Sequence, residues 1–318
     1  MIHDIINIKE VKKMYRVEDY KKIFEQLKLD DSRAVSLYGY APVFKVRLND
    51  EFYVLKRTKK DENQMNKLLV FQKHLKNNNI NVNVPLKRFD EDTHMIDETR
   101  WAIYPFVEGE PYNGSEEHIT LAGDLLGRLH ASNNDIFNHG FTWQNYGGVF
   151  LTDILDDLKT IESRYGEQLH IQALVEEAVK SKFEHLRSID FPYVDATWDY
   201  KATNLIYGDD KVSLIDLDNS GYIPRIFDLC LALILFHTSS PLAPNRPFTI
   251  EEWDVFMAAY KKHITLTEEE VLNFTEYLKF VFLDEGFYAI VDLEMDDQKR
   301  QIEFIEQLML LDLLKYKI

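Results

Sequence analysis

The sequence predicts an α+β protein of two lobes, β-rich in its N-terminal part and mainly helical in its C-terminal part. Three observations carry that reading. Between Ala34 and Arg57 the apolar residues alternate, as they do in strands with one buried face. Beyond about residue 115 the apolar spacing turns helical. Within the helical half stands a single β-type hairpin, "NLIYGDDKVSLIDL". Strands first and helices second, in one chain, is the α+β pattern.

The elements follow in order. Residues 9–28 place Val11, Tyr15, Ile23, Phe24 and Leu27 at helical spacing and predict an amphipathic helix. "AVSLYGYAPVFKVRLNDEFYVLKR" predicts a β-meander, with Gly39 in its first turn and "LNDEF" around its second. Residues 62–76 read as a helix started by an Asp61 N-cap and ended by "NNNINVNVP". "THMIDETRWAIYPFV" predicts two more strands. "SEEHITLAGDLLGRLHASNN" opens on Ser115 with His118 where a capping box has Glu, so its cap is partial. Residues 152–187 give one or two helices, and 225–317 are helical apart from the loop "SSPLAPNRPFT". The expected division is an N-lobe of residues 1–107 and a C-lobe of 108–318.

The chain has 318 residues, 45% of them hydrophobic, enough for a large core. The single Cys230 can form no intrachain disulfide, which suits a reducing compartment. The opening "MIHDIINIKEVKKMY" mixes charge into its apolar residues, unlike a signal peptide. No uncharged run reaches the roughly 18 residues of a membrane span. The expectation is a soluble, cytoplasmic protein with no membrane partner. The net charge of −17, from 54 acidic and 37 basic residues, argues against a nucleic-acid partner. It is compatible with a cationic small substrate, although surface solubility is the plainer account. The sequence sets no oligomeric state.

The chemistry concentrates in "TWDYKATNLIYGDDKVSLIDLDNSG", Thr197–Gly221. "NLIY" and "VSLIDL" are strand-like, and "GDDK" links them. Pairing Tyr207 with Val212 sets Ile206 against Ser213, Leu205 against Leu214, and Asn204 against Ile215, with opposed positions about 5 Å apart. Asn204 and Asp216 then reach the same open end of the hairpin. An amide carbonyl and a carboxylate are hard oxygen ligands that suit Mg²⁺. Asp199 lies on the loop leading into that end. Asp-x-Lys-x-x-Asn, a hairpin, then Asp is the order of a phosphoryl-transfer site, in which the first Asp accepts a hydroxyl proton.

"DYKATNLIYGDDKVSLIDLDNSGYIPRIFDLCLAL" resembles the aminoglycoside phosphotransferase / choline kinase / homoserine kinase-like group, which carries His-Gly-Asp-x-x-x-x-Asn, then Ile-Asp, then Asp-Leu-Ala. The resemblance implies a bilobal protein-kinase-like fold, with ATP and Mg²⁺ as cofactors. It implies Asp199 as catalytic base, Asn204 and Asp216 as metal ligands, and Asp228 as a helix-start residue supporting the loop. Lys201, two residues after the base, is placed to neutralise the γ-phosphate. "FYVLKR" is similar to the lysine strand and implies that Lys56 contacts the α/β-phosphates. "WAIYPFVEGEPY" is similar to the inter-lobe hinge and implies adenine contacts at the backbone near Pro105 and Val107. "LAGDLLGRLHASNN" is similar to the group's helix ending in Leu-His-Ala.

The sequence departs from the group at Thr197-Trp198, where the group has His-Gly, and at Lys201, often His. The glycine turn "LYGYAPVF" holds one Gly. The Glu that pairs with the lysine falls near Leu68, and neither Glu62 nor Gln64 is selected in its place. Only twelve residues separate Asp216 from Asp228, which favours a small hydroxyl acceptor over a peptide. An amino alcohol, an aminoglycoside and a homoserine-like acceptor stay open. Asp284, Glu285, Tyr288, Asp292 and Glu294 of "FLDEGFYAIVDLEMDD" could hold an amine, or form an ordinary helix surface. Two other readings stand beside this one: a catalytically impaired, pseudokinase-like nucleotide-binding protein, and a protein kinase. His118, His130, His139 and His237 form no ligand set, and Trp253, Phe256 and Tyr260 read as a core stripe.

Overall fold

The computed structural model describes residues 15–39, 41–133, 149–181, 183–208, 211–238, 240, 242–292 and 297–318. The chain divides into two compact units. One holds the described residues up to Leu69 together with Asn83–Val107; the other holds Val70–Val82 and Glu108–Ile318.

The first unit is built on strands β1 (Asp30–Ser36), β2 (Val43–Leu48), β3 (Glu51–Thr58), β4 (His94–Ile96) and β5 (Thr99–Pro105). They form one antiparallel sheet in the order β1-β2-β3-β5-β4. Only Asn49 and Asp50 link β2 to β3, and both are left-handed, with φ of 49° and 69°. A two-residue turn of this hand matches strand twist, and Asn and Asp tolerate it best after glycine. Strand alternation then buries Phe44, Val46 and Leu48 with Leu55 and Ile103 over Phe24. The opposite face carries Lys45 and Lys56.

Of the helix expected over 9–28, the described residues 15–28 hold only a short part. Residues 9–14 lie outside the described residues. Arg16 is extended, a 3₁₀ turn covers Val17–Tyr20, and α1 spans only Lys21–Gln26. Lys28 turns left-handed at φ 51°. Its N–H then donates to Glu25 O at 3.0 Å and that of Leu29 to Phe24 O at 2.9 Å. This closure ends the helix and sends Leu29 back into the core. Helix α2 (Glu62–Asn77) begins at the expected Asp61. Asp61 Oδ1 accepts from Gln64 N at 2.8 Å, and Gln64 Oε1 accepts from Asp61 N at 3.0 Å, a complete capping box.

The second unit contains the two-residue strand β6 (Glu110–Pro111) and α3 (Glu116–Ala131), whose first turn Ser115 caps through His118 N. Helices α4 (Val149–Tyr165) and α5 (Leu169–Ser181) follow, separated at Gly166, where φ is 76°. Then come the short strands β7 (Tyr193–Ala196), β8 (Leu205–Gly208), β9 (Lys211–Leu214) and β10 (Gly221–Pro224). Helices α6 (Arg225–Leu235), α7 (Ile250–Tyr260) and α8 (Glu268–Val281) complete the core. A π-turn, Phe282–Gly286, joins α8 to α9 (Phe287–Val291), and α10 (Gln298–Met309) follows. A Cβ at Gly127 would lie 2.7 Å from Tyr260 O, so glycine lets α3 approach the α7 backbone. Trp253, Phe256 and Tyr260 are buried, as a core stripe should be. Cys230 is fully buried, and burial pushes its thiol pKa far up, away from reactivity. Among the described residues no helix is long and apolar enough to cross a membrane.

Candidate active site

Two antiparallel ribbons pin the polar loops of Thr197–Gly221. The outer ribbon pairs β7 with β10, Ala196 opposite Gly221. The inner one pairs β8 with β9 in the register read from the sequence: Tyr207 with Val212, Ile206 with Ser213, Leu205 with Leu214. The chain leaves the outer ribbon, crosses to the inner one through 197–204, and returns through 215–220. Both crossings therefore begin and end side by side. Ile215 N donates to Asn204 O at 2.8 Å, extending the inner ribbon to the site. Asp209 and Asp210 of the hairpin turn lie outside the described residues.

Asp199 sits on the first crossing. Its Oδ2 lies 2.9 Å from Lys201 Nζ and accepts from Asn204 Nδ2 at 3.4 Å. Asn219, on the second crossing, donates to the same oxygen at 3.3 Å. Burial pushes the Asp199 carboxyl above its ordinary pKa; the Lys201 ammonium opposes this and Asp216 adds to it. The loop is anchored behind Asp199. Thr197 Oγ1 accepts from Asp199 N at 3.4 Å and donates to Asp228 Oδ2 at 3.4 Å. His130 of α3 also reaches Asp228 Oδ2, at 3.4 Å, while its Nδ1 meets Tyr260 OH at 2.9 Å. His130 and Asp228 are both buried, so this histidine is a structural anchor.

Asn204 is buried and its amide is oriented. Nδ2 donates to Asp199 O at 2.9 Å, which turns Oδ1 away from that bond. Asp216 is exposed and left-handed, φ 57°. The donor set is thus one amide oxygen and one carboxylate at neighbouring loop roots. It fits a hard cation that takes its remaining ligands from phosphate and water. Among the described residues no three His, Cys, Asp or Glu are grouped to hold a metal. A two-oxygen protein contribution does not need such a group.

The remaining expected residues lie in the first unit. Lys56 is on β3, half-buried, between Val43 and Ala102. Glu62 lies 3.9 Å from Arg100, and Gln64 is engaged in the α2 cap. Pro105 ends β5, and its carbonyl accepts from Asn83 Nδ2 at 2.9 Å, leaving its second lone pair for any further donor. Val107 is the last residue of this unit. Beside Pro105, Phe106 lies under Lys45, whose Nζ is 3.6 Å from the ring centroid.

Two acids of "FLDEGFYAIVDLEMDD" sit in the π-turn with strongly raised pKa values. Burial first, then the charges of Asp153 and Asp157, push Asp284 up to about 6. Burial, then Asp284 and Asp199, push Glu285 up to about 7, with Lys201 opposing. Asp157 of α4 is raised as well, by burial and then by Asp292, Asp153 and Asp156. Glu294 and His139 lie outside the described residues. The sequence did not mark Asn219 or Thr197 as contacts of Asp199. Asn219 reads as a turn residue, and Thr197 is visible only as a departure from His.

Comparison with known proteins agrees with this layout. A β-sheet unit, a helical unit and this looped pair of ribbons define a protein-kinase-like phosphotransferase fold. The chain matches the phosphotransferase enzyme family over residues 39–269, and it belongs to that family. Comparison with curated proteins gave no match. Among solved structures it is similar to an amicoumacin kinase in complex with AMP-PNP and Ca²⁺, at 16% identity and TM-score 0.68, covering 95% of each chain. It is also similar to a microcompartment-associated aminopropanol kinase, at 14% identity and TM-score 0.65, covering 92% of this chain and 94% of that one. A spectinomycin phosphotransferase with ADP and spectinomycin gives 14% identity and TM-score 0.62, covering 90% and 93%. At these identities the likeness is one of fold.

Proposed function

We propose that this protein transfers the γ-phosphate of ATP to a hydroxyl of a small amine-bearing molecule: an amino alcohol, an aminoglycoside or a homoserine-like compound. The observation that carries the reading is the Asp199 cluster: a part-buried, pKa-raised carboxylate held by Lys201, Asn204 and Asn219 beside the roots of both loops. In this reading Asp199 is the base. Oδ2 is engaged by its three neighbours, and Oδ1 takes the proton of the acceptor hydroxyl. Lys201 turns its charge toward the transferred phosphoryl group, and Lys56 holds the α/β-phosphates. Asn204 and Asp216 would hold Mg²⁺, which supplies charge neutralisation on the phosphates. Backbone at Pro105 and Val107 takes the adenine. Residues 1–107 are assigned as the nucleotide-binding lobe with the hinge, and 108–318 as the lobe with the catalytic loop and the acceptor site.

Solved relatives of this fold carry ADP or AMP-PNP, with Ca²⁺ in one case, which supports a nucleotide and a divalent cation here. The acids Asp157, Asp284 and Glu285 support a cationic acceptor: each is harder to ionise than usual, and a bound ammonium would relieve that cost. The test is an ATP-consumption screen over amino alcohols, aminoglycosides and amino acids, with Asp199→Asn as control. Acceptor-dependent ADP release that the substitution abolishes is the expected result. Nucleotide binding without turnover on any acceptor would instead indicate a catalytically impaired protein. Full turnover by Asp199→Asn would remove Asp199 from the role of base.

A further inference from the structure

The residue just before Asp199 is in the wrong conformation for its type. Trp198 has φ 50°. A bulky aromatic residue is disfavoured there, since its Cβ crowds the following carbonyl, and Gly, Asn or Asp would adopt the same turn more cheaply. A second oddity lies across the ribbon. Gly221 opens β10, opposite Ala196. Glycine weakens a strand, and Gly221 is not among the residues with positive φ, so its backbone does not call for it.

One contact accounts for both. A Cβ at position 221 would meet Trp198 Cε3 at 2.9 Å and Cζ3 at 3.4 Å. The indole therefore lies on the Gly221 α-carbon, in space that any side chain would fill. The same ring also packs edge-to-face with Phe227 of α6, with ring centroids 6.1 Å apart at 85°. The ring thus touches both a strand and a helix, immediately beside the left-handed backbone before Asp199.

We propose that Trp198 is a positioning residue. Packed against Gly221 and Phe227, its ring fixes the left-handed turn that aims Asp199 at Lys201, Asn204 and Asn219. Thr197 fixes the same turn from behind through Asp228. This proposal rests on the reading of Asp199 as the base.

The experiment uses the full chain with Trp198→Gly, Trp198→Phe, Gly221→Ala and Asp199→Asn. ADP formation from MgATP is measured with the acceptor that emerges from the screen, or with water as acceptor. Mant-ADP affinity and amide exchange across residues 197–204 are measured alongside. Trp198→Gly keeps the left-handed turn available and removes only the ring. It is expected to lower kcat by about tenfold or more, as a loosened catalytic group does. Mant-ADP affinity should stay within about twofold, the split that separates positioning from binding. Gly221→Ala keeps the indole but displaces it, and should lower kcat and speed exchange of 197–204 in the same direction. Trp198→Phe should restore most of the rate. Wild-type kcat and unchanged exchange in Trp198→Gly would overturn the proposal, because the turn would then need only its backbone. If Asp199→Asn keeps full activity, the base reading fails whatever Trp198 does. If Asp199→Asn is inactive while Trp198→Gly and Gly221→Ala are normal, only the positioning role fails.

Discussion

Glu285→Gln should make the protein more stable at pH 8 and a poorer enzyme. Burial, Asp284 and Asp199 raise the Glu285 carboxyl from its ordinary 4.5 to about 7 in the folded chain. The stability that goes with its neutral form is fully present below pH 4.5 and is lost as pH rises through about 7. At about 1.4 kcal/mol per pH unit of that interval, the ionised side chain costs the fold roughly 3 kcal/mol at pH 8. Gln has the same shape and no charge, so it should recover about 2–3 kcal/mol at pH 8 and almost nothing at pH 4.5. For a chain of this size the melting point should rise by roughly 5 °C at pH 8. In the acceptor screen the same variant should show a raised KM for cationic acceptors with kcat less affected. Thermal melts of wild type and variant at both pH values decide the matter. A variant whose melting point at pH 8 is unchanged or lower, or whose gain is equal at both pH values, would refute the reasoning.

Removing the exposed proposed metal ligand, by Asp216→Asn, should raise the Mg²⁺ concentration needed for half-maximal turnover and leave the melting point of the metal-free protein nearly unchanged. The rate should climb with pH through the pKa of Asp199, which lies above its ordinary 3.8, because the base must be ionised. Lys201→Met removes the cation that opposes this rise, so the limb should move to higher pH, whatever happens to the plateau. Arg225 donates to Glu270 from Nε and Nη2, both at 2.7 Å, and Glu270 is fully buried. Glu270→Ala strands that guanidinium and deletes the capping box at Thr267, and should cost about 3–5 kcal/mol in urea denaturation.

The parts of the fold that were legible are those in which side-chain period and turn length fix the answer. The β8–β9 register follows from alternation across a short link, and it carries Asn204 and Asp216 to one end. The α2 start follows from Asp61 and Gln64. Apolar spacing over 9–28 predicts one helix, but it says nothing of the extended Arg16 and the 3₁₀ turn after it, or of the left-handed Lys28 that returns Leu29 to the core. The β7–β10 ribbon was not read as strands. It pairs "YVDA" with "GYIP", whose Gly and Pro speak against a strand, and the Trp198 ring lies where a side chain at 221 would begin. The π-turn that places Asp284 and Glu285 leaves no mark in a helical apolar pattern. The resemblance could name Asp199, but the supports of that residue are contacts between distant segments, 130 with 228 and 199 with 219.

The departure from His-Gly at residues 197–198 raised the question of impairment, and the packing around Thr197 bears on it. Thr197 is 1% exposed and Asp228 is 0% exposed. Asp228 Oδ2 already meets an imidazole, that of His130 in α3, as well as the Thr197 hydroxyl. His130, which corresponds to the histidine of the group's Leu-His-Ala helix, thus already anchors Asp228 here, and the loop residue meets the remaining contacts with a small group that accepts from Asp199 N and donates to Asp228. A His at position 197 would bring a second ring into a filled space beside the first. Overpacking of this kind costs about 1–3 kcal/mol and shifts backbone, here the backbone that carries Asp199. Thr197→His, which restores the family's usual residue, should thus lower both the melting point and the turnover with the screened acceptor. Thr197→Ser, which keeps the hydroxyl and adds no volume, should retain most of both. A Thr197→His variant that turns over faster than the wild-type chain would mean that the loop lacks its anchor as it stands, and that residues 197–198 record a loss of function instead of a different way of holding the same base.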